Sequence, residues 1–406
     1  MPVSLWPLAA ALAFVSLLMS LVANLCARRV LSRRVPPAKS FPPISILKPL
    51  KGVDDGLYLN LISFAQLDYP AYEVICGAED VSDPALEVAR RVQREFPRAN
   101  LRIIQCRGYR GKNPKVRSLQ ALAAQARHEH LLISDSNVRV DSSWLRDTAA
   151  ELRDPRVGLV TNPIAPLAPL EAGSESLGAL FENLHLGGFV LGAIALPNVL
   201  AGRACVIGKS MLLRRAALES VGGFRAVRNV LAEDYLLGRK FELAGYRVVL
   251  SPHPISTVNE RWSVSRFCNR HVRWGQMRRR ISLAAYLGEL LLNPLPLILA
   301  AFALRVGSLL GEEPSRTPMI QAGVVALLAV VFKCALDRAL LQRLRGEPLP
   351  IFDSIWLPVK DLLIAAIWPV ACVKRTLDWR GNALKIGRAS RLFSIEIADE
   401  GVGQES

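Results

Sequence analysis

Two adjacent carboxylates, Glu233 and Asp234, stand in an otherwise apolar run, LAEDYLLG (231–238), of a chain with sixteen excess positive charges. Such a pair suits general-base chemistry, in which one carboxylate takes a proton and its neighbour adjusts its pKa. It equally suits a helix N-terminus, where acids complement the macrodipole. Two further acids close apolar runs: Asp80 ends YEVICGAED (72–80) and Asp135 ends LLISD (131–135). Either one suits a turn or a helix cap. Asp135, followed by Ser136 and Asn137, is also placed to hold a divalent cation against a diphosphate, since Mg2+ is commonly held by one or two carboxylates plus phosphates and water. In RHVRW (270–274), Arg270 and Arg273 stand one helical turn apart, so both guanidinium groups reach one diphosphate while Trp274 packs beside them. The same stretch also reads as a basic amphipathic helix on anionic lipid.

These groups need a scaffold, and the apolar pattern supplies one. Short β-branched runs alternate with helical patterns, as in a parallel α/β sheet. ISILKPL (44–50), YEVICGAED (72–80), LRIIQC (101–106) and HLLISDSNVRV (130–140) read as strands; YLNLISFAQ (58–66), PALEVARRVQREF (84–96) and VRSLQALAAQA (116–126) read as helices. Ligands of doubly wound sheets bind at the carboxyl ends of strands, and Asp80 and Asp135 lie at such ends.

Leu5 to Ala27 is 23 residues without a charge, enough to cross a bilayer core. Arg28, Arg29, Arg33 and Arg34 follow at once, which by the positive-inside rule puts the next domain in the cytoplasm. A Pro-rich linker, VPPAKSFPP (35–43), comes next. Three more apolar stretches follow residue 280, at about 284–304, about 318–336 and 355–373. Polar and proline residues interrupt the first and third, as in re-entrant or interfacial segments, and the basic run 374–392 implies that at least one does not cross. The run 184–200 reads either as ordinary core or as a groove for an apolar ligand. Basic clusters lie beside apolar segments and are not interleaved with aromatics, which favours a membrane surface over nucleic acid. Seven cysteines show no C-x-x-C pair, and five histidines show no ligand spacing, so neither a disulfide framework nor a zinc site is indicated.

The ordered succession ISILKPLKGVD, AEDVSDPA, GKNPKV, SDSNVRV, GGF, LAEDY and RHVRW, from about 44 to 280, resembles the membrane-bound GT-A glycosyltransferases, and within them the ceramide glucosyltransferase family. DWRG (378–381) is a weaker echo in the tail. The resemblance implies a Rossmann-like mixed α/β sheet, a UDP-sugar donor, a divalent cation (Mg2+ or Mn2+) and a lipid acceptor. It implies that Asp80 contacts the nucleotide, Asp135 the metal-diphosphate, and Arg270, Arg273 and Trp274 the donor diphosphate. Asp234 would be the base, with Glu233 beside it. Lys48, Pro49 and Gly52 would line the nucleotide cleft, with Lys115 near it. Two departures stand out: position 137 is Asn where many such enzymes carry a second acid, and a family histidine has no clear counterpart in 181–202, where His185 lies several positions early.

The expected organisation is an N-terminal transmembrane anchor (1–34), a cytoplasmic GT-A catalytic domain (35–280), transmembrane or interfacial helices (281–373) and a basic tail (374–406), in a bacterial-type inner membrane. The expected reaction is inverting transfer of a sugar, glucose by this resemblance, to the hydroxyl of ceramide. Bacterial hopanoid N-acetylglucosaminyltransferases look similar through the same motifs. A processive polysaccharide synthase shares R-x-x-R-W but needs more spans, and a non-catalytic nucleotide or lipid sensor would show loss of acidic positions.

Overall fold

The computed structural model describes residues 5–35, 37–38, 40–167, 175–203, 205–310, 316–374, 376–379 and 382–394. In chain order its first strands are β1 (Ile44–Pro49), β2 (Tyr72–Ala78), β3 (Leu101–Gln105), β4 (His130–Ser134), β5 (Val138–Arg139), β6 (Val157–Thr161), β7 (Ile164–Pro166), β8 (Ser210–Arg214), β9 (Arg247–Leu250) and β10 (Ile255–Thr257). The main sheet runs β3-β2-β1-β4-β8-β6-β9, with β3, β2, β1 and β4 mutually parallel and β8 antiparallel to both neighbours. A small second sheet orders β5-β10-β7. This is the mixed α/β architecture of a GT-A fold. β1, β2 and β4 are buried nearly throughout because helices cover both faces of the sheet. The chain winds outward in both directions from β1 and β4, and such a switch point opens a crevice at the strands' carboxyl ends.

The strands stop earlier than the sequence patterns run. β4 ends at Ser134, and Asp135, Ser136 and Asn137 form a turn in which the Val138 N–H donates to the Asp135 carbonyl (3.3 Å); these residue types favour turns over ladders. β2 ends at Ala78, leaving Glu79 and Asp80 in the following turn. Two helices start by one device, a capping side chain ahead of a proline at the first helical position. Asp83 accepts from the Ala85 N–H (2.9 Å) before Pro84, and Asn113 accepts from the Val116 N–H (3.1 Å) before Pro114.

Among the described residues four helices are long and apolar enough to cross a membrane: Trp6–Leu31, Leu177–Ala201, Arg316–Arg345 and Ile351–Val373. The helical pair Leu283–Leu292 and Leu295–Leu310 is bent by 67° around Asn293 and Pro294, where proline removes a backbone donor. That bend is the geometry of a broken span or a re-entrant segment. Leu177–Ala201 contains the run read from sequence as core or groove, and it is both long enough to span and half buried. It passes through a π-helical turn at Leu186–Val190. Glycines there permit close approach: a Cβ on Gly187 would stand 2.0 Å from the Leu341 side chain, and one on Gly192 3.2 Å from Ala23. Between Arg316–Arg345 and Ile351–Val373 four charged side chains are buried together. Lys333 pairs with Asp337 on its own helix and lies 3.2 Å from Asp361; Lys360 lies 2.5 Å from Asp361 and 3.8 Å from Asp337. Asn293 donates to the Asp361 carbonyl (2.9 Å), tying the bend to this group.

After the last long helix come β11 (Thr376–Trp379), β12 (Asn382–Ile386) and β13 (Leu392–Ser394), an antiparallel sheet. Of the DWRG echo, Arg380 and Gly381 lie outside the described residues, as does the tail beyond Ser394.

Candidate active site

Lys115 is the hub of the acidic residues. It occupies the first turn of the helix Pro114–Gln125, whose cap Asn113 also donates to the Val230 carbonyl (2.8 Å) and to Glu233 Oε2 (3.3 Å). The GKNP loop is thereby fastened to the segment that leads into Glu233. The Lys115 ammonium lies 2.9 Å from Asp135 Oδ1 and 3.2 Å from Glu233 Oε1, and it donates to the Gly208 carbonyl (2.9 Å). Burial alone would lower its pKa, but Asp135 and Glu233 outweigh burial and hold it above the ordinary lysine value.

Glu233 and Asp234 are the first two residues of the helix Glu233–Leu243, where acids complement the macrodipole as the helix-start reading expects. Asp234 accepts through Oδ2 from the Gly208 N–H (2.8 Å) and through Oδ1 from the Tyr235 N–H (2.7 Å). Burial raises its pKa above the usual carboxylate value despite these donors and Lys115. Glu233 is raised as well, by burial and by Asp234, against the pull of Lys115. Gly208 leaves room for this contact, since a Cβ there would meet Asp234 Oδ2 at 2.8 Å.

Two buried lysines support the Asp135 turn. Lys48, at the end of β1, is fully buried, so it meets the cleft from beneath: its ammonium donates to the Asp135 carbonyl (3.0 Å) and Ser134 Oγ (3.2 Å) and sits 3.6 Å above the Phe64 ring. Burial lowers its pKa to about 7. Lys209 donates to Asn137 Oδ1 (2.5 Å) and Thr257 Oγ1 (3.0 Å), and burial lowers it to about 8, with Arg270 pushing the same way and Asp135, Asp54 and Glu182 opposing. The side-chain amide oxygen of Asn137, at the position of a second acid in related motifs, is therefore committed to an ammonium. The Lys209 ammonium feels both sides of the crevice, Asp135 favouring its charge and Arg270 opposing it.

That helix, Val264–Ile281, starts at Ser263, whose hydroxyl accepts from the Arg266 N–H (3.1 Å). The Arg270 guanidinium lies between the rings of Trp262 (5.1 Å) and Trp274 (4.4 Å), and its Nε is 3.1 Å from Glu182 Oε1. Glu182 is fully buried and accepts through Oε2 from His271 Nε2 (2.8 Å). Arg273 is half-buried, three residues after Arg270. His185 is buried, stacked on Phe189 and edge-on to His271, with ring centroids 4.9 and 4.6 Å away. The helix Leu177–Ala201 thus holds the arginine helix through Glu182 and meets two of the long apolar helices through Gly187 and Gly192.

Asp80 stands apart from the Lys115 group, at an exposed turn where its Oδ1 accepts from the Ser82 N–H (2.9 Å) and Ser82 Oγ (2.8 Å). Gly52 (φ +67°) follows half-buried Pro49 and donates its N–H to both oxygens of Asp83 (3.0 Å each), which links the β1 loop to the β2 loop at the same end of the sheet. Glu182, Lys209, Asn113 and Gly208 were not among the residues singled out from sequence. A lone acid in an apolar run was the available signal for Glu182, and an Asn capping a helix ahead of Pro114 within GKNPKV was that for Asn113; nothing local marks the other two.

No group of three His, Cys, Asp or Glu side chains arranged to hold a metal occurs among the described residues. Partly exposed Asp135 supplies one carboxylate at the crevice, a donor set that fits a cation whose remaining ligands are substrate phosphates and water.

The sequence model of a family described as Glycosyl transferase family 21 matches residues 8–392. Ceramide glucosyltransferase 3 of Caenorhabditis elegans is 26% identical over 368 residues, which is 89% of this chain and 77% of that protein. Ceramide glucosyltransferase of Komagataella phaffii is 29% identical over 197 residues, 43% of this chain and 38% of that protein. Among solved structures, the mannosyltransferase PcManGT from Pyrobaculum calidifontis, in complex with GDP-Man and Mn2+, aligns with a TM-score of 0.55 at 17% identity, covering 90% of this chain and 99% of that one. That last likeness is one of fold.

Proposed function

The chain belongs to glycosyltransferase family 21, and from that premise we propose that it transfers a sugar, with inversion, from a UDP-sugar to the hydroxyl of a membrane lipid, with glucose as the sugar and ceramide as the acceptor. The observation that carries the reading is the convergence of Lys115, Asp135, Glu233 and Asp234, from the starts of two helices and the turn after β4, at the carboxyl ends of the central strands.

In this mechanism Asp234 takes the proton of the acceptor hydroxyl, and the oxygen attacks the anomeric carbon as the bond to UDP breaks. Burial raises the Asp234 pKa and so makes the carboxylate a stronger base than an exposed aspartate. Its hydrogen bonds to the Gly208 and Tyr235 N–H groups fix the oxygens. Arg270 and Arg273 face charge that develops on the departing diphosphate, as preorganised cations do in a water-poor site. Asp135 would hold a divalent cation, Mg2+ or Mn2+, which when bound adds positive charge against the diphosphate. Asp80 and the Pro49–Gly52 loop would meet the nucleotide at the rim, and Lys48 and Lys115 would set the Asp135 turn from below and beside it.

Membrane attachment serves this chemistry. A two-chain lipid leaves the bilayer at a cost of about 0.8 kcal/mol per exposed CH2, so the site must come to the surface. The helix Leu177–Ala201 supports that placement by joining the arginine helix to apolar spans. Residues 35–280 would then form the catalytic domain on the cytoplasmic side of the membrane, between the anchor 1–34 and the helices 281–373.

Washed membranes given UDP-glucose or UDP-N-acetylglucosamine with ceramide or a hopanoid tetrol test the reading by mass spectrometry. Glucosylceramide is the expected product, suppressed by EDTA and restored by Mn2+. A hopanoid product bearing N-acetylglucosamine replaces this donor and acceptor, and the absence of any glycolipid product refutes the transferase assignment.

A further inference from the structure

The backbone just ahead of the acid pair is held from far along the chain. Helix Glu233–Leu243 begins at Ala232, which has no side chain to cap it. Position 235 is a tyrosine, so no Glu or Gln reaches back to the Ala232 N–H as in a capping box. That N–H donates to Ser390 Oγ (3.2 Å), and the Leu231 N–H donates to the Ser390 carbonyl (2.9 Å). Around this contact the Leu392 N–H donates to the Asn229 carbonyl (2.8 Å), and Val230 bridges Arg391.

The same tail is fastened to the arginine helix. Gln276 donates to the carbonyls of Lys374 (2.8 Å) and Thr376 (3.1 Å), and Arg279 to that of Cys372 (2.6 Å). Leu384, Ile386 and Leu392 form one small apolar cluster with Leu231, and Met277 packs against it. The strands β12 and β13 therefore bridge the element carrying Arg270 and Arg273 to the segment that sets Glu233 and Asp234. At the contact, Ala389 (φ +50°) and Ser390 (φ +55°) are the two non-glycine residues with positive φ among those described. Such conformations persist where the surroundings over-determine them.

We propose that Ser390 is a positioning residue: its hydroxyl and carbonyl fix the start of the helix so that Asp234 is clamped between this support and the Gly208 N–H. The proposal rests on reading Asp234 as the base. It assigns the C-terminal strands a part in setting the catalytic geometry, and Ser390 does so while almost completely buried and without touching substrate.

Full-length Ser390→Ala, Ser390→Gly and Asp234→Asn proteins in membranes, assayed across pH, test this. Glycine relieves the positive φ while alanine does not, and both remove the hydroxyl. The expected result is that the two Ser390 variants lose kcat alike, by about tenfold, with donor KM unchanged and the acidic limb of the kcat profile displaced, although the glycine variant melts at the higher temperature. Activity that follows melting temperature, with glycine recovering what alanine loses, overturns the proposal and leaves the contact merely structural. Unaltered kcat in Ser390→Ala beside an inactive Asp234→Asn overturns the proposal alone. Wild-type turnover in Asp234→Asn overturns the base reading and the proposal with it.

Discussion

Gly208→Ala tests the clamp on Asp234 from the opposite side. The added methyl would stand 2.8 Å from Asp234 Oδ2 and 3.2 Å from both its Cβ and Cγ. Ordinary van der Waals contact begins near 3.4 Å, so the carboxylate must retreat by about half an ångström, and the hydrogen bond from the Gly208 N–H (2.8 Å) is stretched with it. A misplacement of 1 Å costs about a hundredfold in rate; half of that, on a logarithmic scale, is about tenfold. Donor contacts lie on other residues, so kcat is expected to fall about tenfold while donor KM stays within about twofold. The backbone at 208 needs no positive φ, since Gly208 is not among the glycines in that region, so alanine is tolerated conformationally. The assay is radiolabelled transfer in membranes with saturating acceptor, alongside thermal unfolding of the detergent-solubilised protein. Unchanged kcat would refute the argument that the position of Asp234 limits turnover, as would a fall in kcat fully explained by unfolding.

Asp234→Asn is expected to lower turnover by about 10²- to 10⁴-fold and to leave UDP binding, measured by calorimetry, intact. Because burial raises the Asp234 pKa, its carboxylate forms only above the ordinary aspartate range, so the acidic limb of the kcat profile is expected above pH 4, read from rates between pH 4 and 8. Lys115→Met strands Asp135 and Glu233 without their shared cation and is expected to destabilise the catalytic domain by about 3–5 kcal/mol, read from denaturant unfolding. His253 lies between Asp141 (2.6 Å) and Asp147 (2.8 Å); burial lowers its pKa, but the two carboxylates prevail and raise it above the ordinary value. A raised histidine stabilises below its unfolded pKa of about 6.5 and ceases to do so as pH climbs through the folded value. The difference in melting temperature between wild type and His253→Gln is therefore expected to shrink from pH 6 to pH 9.

Local signals carried much of this molecule. An aspartate closing an apolar strand, acids at the first apolar turn of a helix, and two arginines three residues apart each express a short-range rule, and the structure puts Asp135, Glu233 and Asp234 around one lysine. The strands of the first half lie where β-branched runs placed them, with ends misjudged because Ser, Asp and Asn trade ladder bonds for turn bonds. The remaining features depend on long-range meetings that no periodicity encodes. Lys48 was expected at the nucleotide cleft and Lys209 carried no local signal; the fold shows each beneath the Asp135 turn. Glu182 meets Arg270 and His271 from a different helix. Ser390 caps Ala232 from 158 residues away. The bend in the apolar pair 283–310 was legible because Asn293 and Pro294 announce it, whereas Leu177–Ala201 as one long helix was hidden behind its glycines.

The four buried charges between Arg316–Arg345 and Ile351–Val373 bear on how the protein is made. Each helix contributes one lysine and one aspartate to this group, Lys333 with Asp337 and Lys360 with Asp361, so within the group each side is self-neutralised before it meets the other. In a membrane-spanning arrangement, either pair would enter the bilayer without presenting a bare ion to hydrocarbon. On docking, the pairs exchange partners across the gap, Lys333 toward Asp361 and Lys360 toward Asp337. A slip of one residue turns a helix by about 100° and pulls these crossed partners apart. The arrangement therefore works as a ratchet tooth: easy to insert and hard to slide once seated.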